Sequence, residues 1–102
     1  MSNIRGAGLP NRYRIFETQE YLDCLLRFSK TDRGFIEQKA KTYIYPQLRQ
    51  EPHFGVNIKK LAGYDPETWR YRLGRFRLFY SIDDQGKTVH ILTIDFRKDA
   101  YR

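Results

Sequence analysis

The sequence predicts an α+β fold: an N-terminal strand, two helices, then a three-strand antiparallel meander, with the helices packed on one face of the sheet. Three observations predict it. Apolar residues recur at helical spacing between positions 19 and 45. The segments 12–18 and 69–96 instead alternate and are rich in aromatic and β-branched residues. Two turn signals, Gly74-Arg75 and the run DDQGK at 83–87, cut the later segment into three strands.

Taken in order, RYRIFET (12–18) reads as the first strand. Thr18 can cap the next segment, and Glu20 suits the positive end of a helix dipole. Tyr21, Leu22, Leu25, Leu26 and Phe28 then mark a helix over about 19–29. SKTDRG is a turn, with Thr31 or Asp32 as the next cap. Phe35, Ile36, Ala40, Tyr43 and Ile44 define a second amphipathic helix. Pro46 has no N–H to give and should end or kink that helix near Tyr45, with room for one more turn at 47–51. PHFGVNIKKLAGYDPE (52–67) is dense in turn formers and reads as an irregular connection. The meander strands are WRYRL (69–73), FRLFYSID (76–83) and TVHILTIDF (88–96). The last is apolar on both faces in its middle, which places it inside the sheet. Residues 1–11 read as a flexible leader to one domain spanning 12–102. A chain of 102 residues can bury a core without metals or disulfides.

Nineteen Lys and Arg against twelve Asp and Glu give a net charge of +7, which favours an anionic partner. No apolar run approaches a membrane span, and MSNIRGAGLPN lacks the apolar centre of a signal peptide. The lone Cys24 makes no internal disulfide, which fits a reducing cytoplasm, and its YLDCLL setting suits a small core residue.

The charge concentrates in WRYRLGRFRLFY (69–80), which holds four arginines and no acid. Like charges on neighbouring strands repel, so stability does not ask for them. Strand alternation puts Arg70 and Arg72 opposite in sense to Trp69, Tyr71 and Leu73, and Arg77 opposite to Phe76, Leu78 and Tyr80. If the apolar sets meet the helices, Arg70, Arg72 and Arg77 share the open face, with Arg75 at the hairpin tip and Arg97 at the end of the last strand. Guanidiniums so arranged suit phosphate, because each is a planar fork of donors. The alternative is structural: arginine stems cover apolar sheet and pair with acids elsewhere in the fold.

Other constellations carry less. His53 and His90 are far apart with no cysteine near, so no metal site is expected. Asp83-Asp84 is turn chemistry, and Asp95, two residues from Arg97, orients that arginine or else acts as a base. Trp69 and Tyr71 face the core or offer a stacking platform. Lys59 and Lys60 are either a solvated loop or an added grip on RNA.

The stretch NIKKLAGYDPETWRYRLGRFRLFYSIDDQGKTVHILTIDFRKDAYR (57–102) resembles the C-terminal half of RelE/ParE-superfamily toxins of prokaryotic type II toxin–antitoxin modules. The resemblance runs through KKLAG, WRYRLG, FRLFYSID and the closing RKDAY, and the upstream strand and helices fit the same plan. It implies a fold like that of small microbial ribonucleases. It implies a toxin that cuts mRNA in the ribosomal A site without metal or cofactor, by attack of the RNA's own 2′-hydroxyl, and that a cognate antitoxin restrains. By position, Arg77, Arg97 and Tyr101 match the family's catalytic residues. Arg70, Arg72, Arg75, Lys59 and Lys60 are then RNA-binding residues. The chain departs from the pattern where arginines stand at 70 and 72 in place of lysines, since arginine is a poor base. It departs again at Phe96, where many relatives have histidine, and at Arg75, where many have an acid. The ParE branch implies the alternative: the same fold without nuclease activity, poisoning DNA gyrase by protein contact.

Overall fold

The computed structural model describes residues 12–96. The leader at 1–11 and the expected site residues Arg97 and Tyr101 lie outside the described residues. The fold is α+β, and its sheet has five strands, one more than the sequence suggests. In chain order these are β1 (Arg14–Glu17), β2 (Ile58–Lys60), β3 (Trp69–Leu73), β4 (Phe76–Asp83) and β5 (Thr88–Phe96). The spatial order is β1-β5-β4-β3-β2.

The strand layout differs from the expected one in two places. The segment 52–67 is not wholly irregular, because Ile58–Lys60 adds β2 antiparallel to β3 at the edge of the sheet. The sheet is mixed, because β1 lies parallel to β5, with Arg14 opposite Thr88 and Phe16 opposite His90. That leaves β5 between β1 and β4, the interior place its apolar run requires. A bulge in the β4–β5 ladder lets Leu92 slip between the pairs Phe79–Thr93 and Tyr80–Ile91. The parity of β5 therefore changes, and Val89, Ile91 and Ile94 all point into the core.

Thr18 caps α1 (Gln19–Leu25), its hydroxyl oxygen accepting the Tyr21 N–H at 3.2 Å. The same hydroxyl donates to the Ile91 carbonyl at 2.7 Å, so one side chain starts the helix and ties it to β5. The helix is shorter than 19–29. After Leu25 the chain tightens into i→i−3 bonds, such as Arg27 N–H to Cys24 O at 3.0 Å. Ser29, rather than Thr31 or Asp32, caps α2 (Lys30–Lys39) by accepting the Asp32 N–H at 3.1 Å.

Pro46 does not end the second helix. A π-helical turn over Ala40–Ile44 carries α2 into α3 (Tyr45–Gln50), and the Tyr45 N–H bonds to Ala40 O, five residues back. The wider turn sets Pro46 in the first turn of α3, where a missing N–H leaves nothing unmade.

The core lies between these helices and one sheet face. Tyr21, Ile36, Ile44 and Leu48 meet Tyr71, Leu78, Tyr80 and Ile91, all essentially without solvent contact. Tyr71 is therefore core and no stacking platform. Trp69 is half-buried and stacks on Tyr80 with ring centres 6.5 Å apart. Cys24 packs against this core, its thiol 3.0 Å from the Ile94 carbonyl. The Tyr80 hydroxyl donates to Pro52 O at 2.7 Å, anchoring the connection after α3.

Candidate nucleic-acid interface

With one sheet face given to the helices, the other is open, and the register decides what stands on it. Lys59 is opposite Arg70, Arg70 opposite Phe79, and Phe79 opposite Thr93. The next row, toward the β3–β4 hairpin, runs Arg72, Arg77, Asp95. Four of the expected cations thus share the open face: Lys59, Arg70, Arg72 and Arg77.

Arg77 is the best-fixed member of this group. Its Nε donates to Asp95 Oδ1 at 3.2 Å and its Nη2 to Oδ2 at 3.1 Å, a two-pronged pair between neighbouring strands. Its guanidinium also lies 5.3 Å from the centre of the Phe79 ring. Pinned by carboxylate and ring, it is three-quarters buried. The fork uses Nε and one Nη2 hydrogen, so the Nη1 edge can still meet an anion. Asp95 is thereby a pairing residue, but its partner among the described residues is Arg77; the expected partner, Arg97, lies outside them.

Arg72 is exposed and directly across from Arg77. At cross-strand spacing two guanidiniums repel. Asp95 offsets part of this from the far side, and an anion between the two arginines would offset the rest. The other expected residues go elsewhere. Gly74 adopts φ +58° at the first central position of the β3–β4 turn, a conformation glycine takes without strain. Arg75 follows at the hairpin tip, with its guanidinium 5.2 Å from the centre of the Phe96 ring. Phe96 packs with Phe76 on the helix side, so Arg75 leans away from the open face. Lys60 alternates to the other face and pairs with Glu67 at 3.0 Å.

Two features escape composition and spacing. Phe79 lies under Arg77 because the open face of β4 carries a ring between Arg77 and Ser81. His53, expected as a plain loop residue, holds together three segments. Its Nδ1 is 2.8 Å from Glu51 Oε2 and its Nε2 3.0 Å from Asp84 Oδ1, and Asp84 also accepts the Tyr13 hydroxyl at 2.5 Å. Burial disfavours the imidazolium, but the hydrogen bonds to Glu51 and Asp84 outweigh it and raise the His53 pKa. The Tyr13 hydrogen bond chiefly lowers that of Asp84, against partial desolvation and with help from His53. Among the described residues no group of three or more His, Cys, Asp or Glu is arranged to hold a metal, and no helix is long and apolar enough to cross a membrane.

Residues 30–101 match a family model described as the ParE toxin of the type II toxin–antitoxin system parDE. Over 62 residues the chain is 48% identical to Toxin RelG of Mycobacterium tuberculosis, covering 59% of this chain and 67% of that protein. Among solved structures it resembles the toxin–antitoxin complex RelBE2 of M. tuberculosis, at 28% identity and TM-score 0.67 over 84% of this chain and 92% of that one. The archaeal RelE–RelB complex of Pyrococcus horikoshii matches at 26% identity and TM-score 0.60, over 84% and 96% of the two chains. A free mutant form of E. coli RelE, 18% identical with TM-score 0.62 over 88% of each chain, shares the fold.

Proposed function

The chain belongs to the ParE toxin family, within the RelE/ParE superfamily of type II toxin–antitoxin systems, and from that premise we propose that it is a ribosome-dependent mRNA endoribonuclease restrained by a cognate antitoxin. One observation carries the nuclease reading: Arg77, immobilised by Asp95 and Phe79, faces Arg72 on an open sheet face whose opposite side is core. The kinship with RelG and RelBE2 supports the RelE branch, and the complexes with antitoxin among the structural relatives support the antitoxin as partner.

The reaction would run on the RNA's own hydroxyl. The 2′-oxygen loses its proton and bonds to the neighbouring phosphorus. The bond to the 5′-oxygen breaks, that oxygen takes up a proton, and a 2′,3′-cyclic phosphate remains. Arg77 contributes donors fixed before charge builds on the phosphoryl oxygens, the arrangement that needs least reorganisation. Arg72, Arg70 and Lys59 hold flanking phosphates. Arg97 and Tyr101 complete the proposal by their match to the family's positions: Arg97 as the second clamp on the phosphate, Tyr101 to orient the 2′-hydroxyl or move its proton.

Purified protein with programmed ribosomes tests this, with 3′ ends mapped by primer extension. Cleavage in the A-site codon that requires ribosomes is the expected result. Intact mRNA from protein that still arrests growth would overturn it. The match to a ParE family model favours gyrase inhibition as the second reading, and a supercoiling assay would then show it.

A further inference from the structure

On the same open face, in the row of Ser81, stand two rings that the phosphate clamp does not use. Phe16 in β1 is opposite His90 in β5, and His90 is opposite Ser81 in β4. The rings are T-shaped with centres 5.6 Å apart. A T-shaped pair sets one edge against one face, which leaves flat ring surface for a third partner. Phe16 is 54% exposed, although it sits on an edge strand where a large apolar side chain invites unwanted pairing.

Around the rings is a shallow cavity of about 260 Å³ lined by Arg14, Ile15, Phe16, Thr88 and His90. Arg14 is held at its rim, with Nη2 3.3 Å from Gly86 O and 3.4 Å from Thr88 Oγ1. The residue is otherwise exposed. An exposed ring with a fixed guanidinium beside it is the pairing that takes a base and its phosphate together.

We propose that Phe16 and His90 form a stacking subsite for a base flanking the cleaved bond, with Arg14 on its phosphate. This rests on reading the open face as the RNA surface and deepens that reading. Strand geometry gives the spacing. Ser81 is four residues from Arg77, about 13 Å along the strand, and β1 is two strands from β4, about 10 Å across. A nucleotide on Arg77 cannot also fill this subsite, so the base is a neighbour in the same strand. The cations Lys59, Arg70, Arg72 and Arg77 on the same face and the net charge of +7 argue for RNA as the occupant.

The test is direct binding of a short fluorescent single-stranded RNA by the purified full chain, without ribosomes. Phe16→Ala should weaken binding roughly five- to a hundredfold, the range for losing one stacked base. Phe16→Tyr should restore it. The salt dependence should stay as in the wild type, because stacking releases no counterions. Equal affinity in Phe16→Ala, or no RNA binding by the wild-type chain, overturns the subsite. If Phe16→Ala binds RNA normally but loses affinity for the antitoxin, the rings are a protein contact and the proposal falls. Ribosome-dependent cleavage measured alongside separates the two readings. Loss of the stacking effect with cleavage intact removes only the subsite. Absence of cleavage with the stacking effect intact removes only the nuclease.

Discussion

Arg77 and Asp95 face each other across β4 and β5, joined by bonds of 3.2 and 3.1 Å between guanidinium and carboxylate. The pair sets the direction in which Arg77 presents its free edge, so the two residues should fail in different ways. Arg77→Ala removes a fixed donor and should lower ribosome-dependent cleavage by about 100-fold or more. Asp95→Asn keeps the charge of Arg77 but loosens its orientation, and should cost about tenfold. Cleavage rates at saturating ribosome, with melting temperatures alongside, check this. Asp95 is half exposed, so its loss should change stability by no more than about 1 kcal/mol.

In the proposed reaction Arg72 and Lys59 hold flanking phosphates rather than the reacting atoms. Replacing either with alanine should weaken single-stranded RNA binding and lower the slope of log affinity against log salt by about one. Titrations at three or more salt concentrations measure it. An unchanged slope in both would remove them from the RNA surface.

The Glu51–His53–Asp84 cluster predicts a pH window for stability. Both ring nitrogens face carboxylates, which only an imidazolium satisfies. The His53 pKa is raised, so its contribution is full below about 6.5, the unfolded value, and is lost as pH rises through the folded value. The Asp84 pKa is lowered, so its contribution is present above about 3.9 and is lost as pH falls through the folded value. Lys87, whose ammonium is 4.7 Å from the Tyr13 ring centre, also favours the Asp84 carboxylate. Melting temperature should therefore peak between these limits and fall by a few degrees toward alkaline pH. His53→Gln should flatten the alkaline side.

Tyr80→Phe tests the anchor after α3. It leaves the buried Pro52 carbonyl without its donor and should cost about 1–3 kcal/mol, read from denaturant midpoints.

Much of the fold was legible because alternation is a local property. The placing of Arg70, Arg72 and Arg77 on the face opposite Tyr71 and Leu78 needs only period-two geometry and holds in the structure. What sequence could not supply was register and partnership. Nothing in Arg77 names Asp95, 18 positions away, until β4 and β5 are aligned. Arg75 looks equivalent to its neighbours until Phe96 is set beside it. Ile58–Lys60 is too short to show a period, and becomes a strand only because β3 offers an edge. Pro46 was misleading because a proline forbids one hydrogen bond, and the π turn before it makes that bond unnecessary.

The parallel pairing of β1 with β5 bears on when the chain folds. Arg14 and Thr88 are 74 positions apart in sequence, yet neighbours in the sheet. During synthesis β1 emerges early and has no partner until β5 has left the exit tunnel. Contacts so distant along the chain are slow to form, since loop-closure entropy must be overcome first. The β1 side of the open face, where Phe16 meets His90, therefore closes after the β2–β3–β4 ladder that carries Lys59, Arg70, Arg72 and Arg77. A chain in which β5 is still missing presents these cations, but neither the Arg77–Asp95 fork nor the Phe16–His90 ring pair.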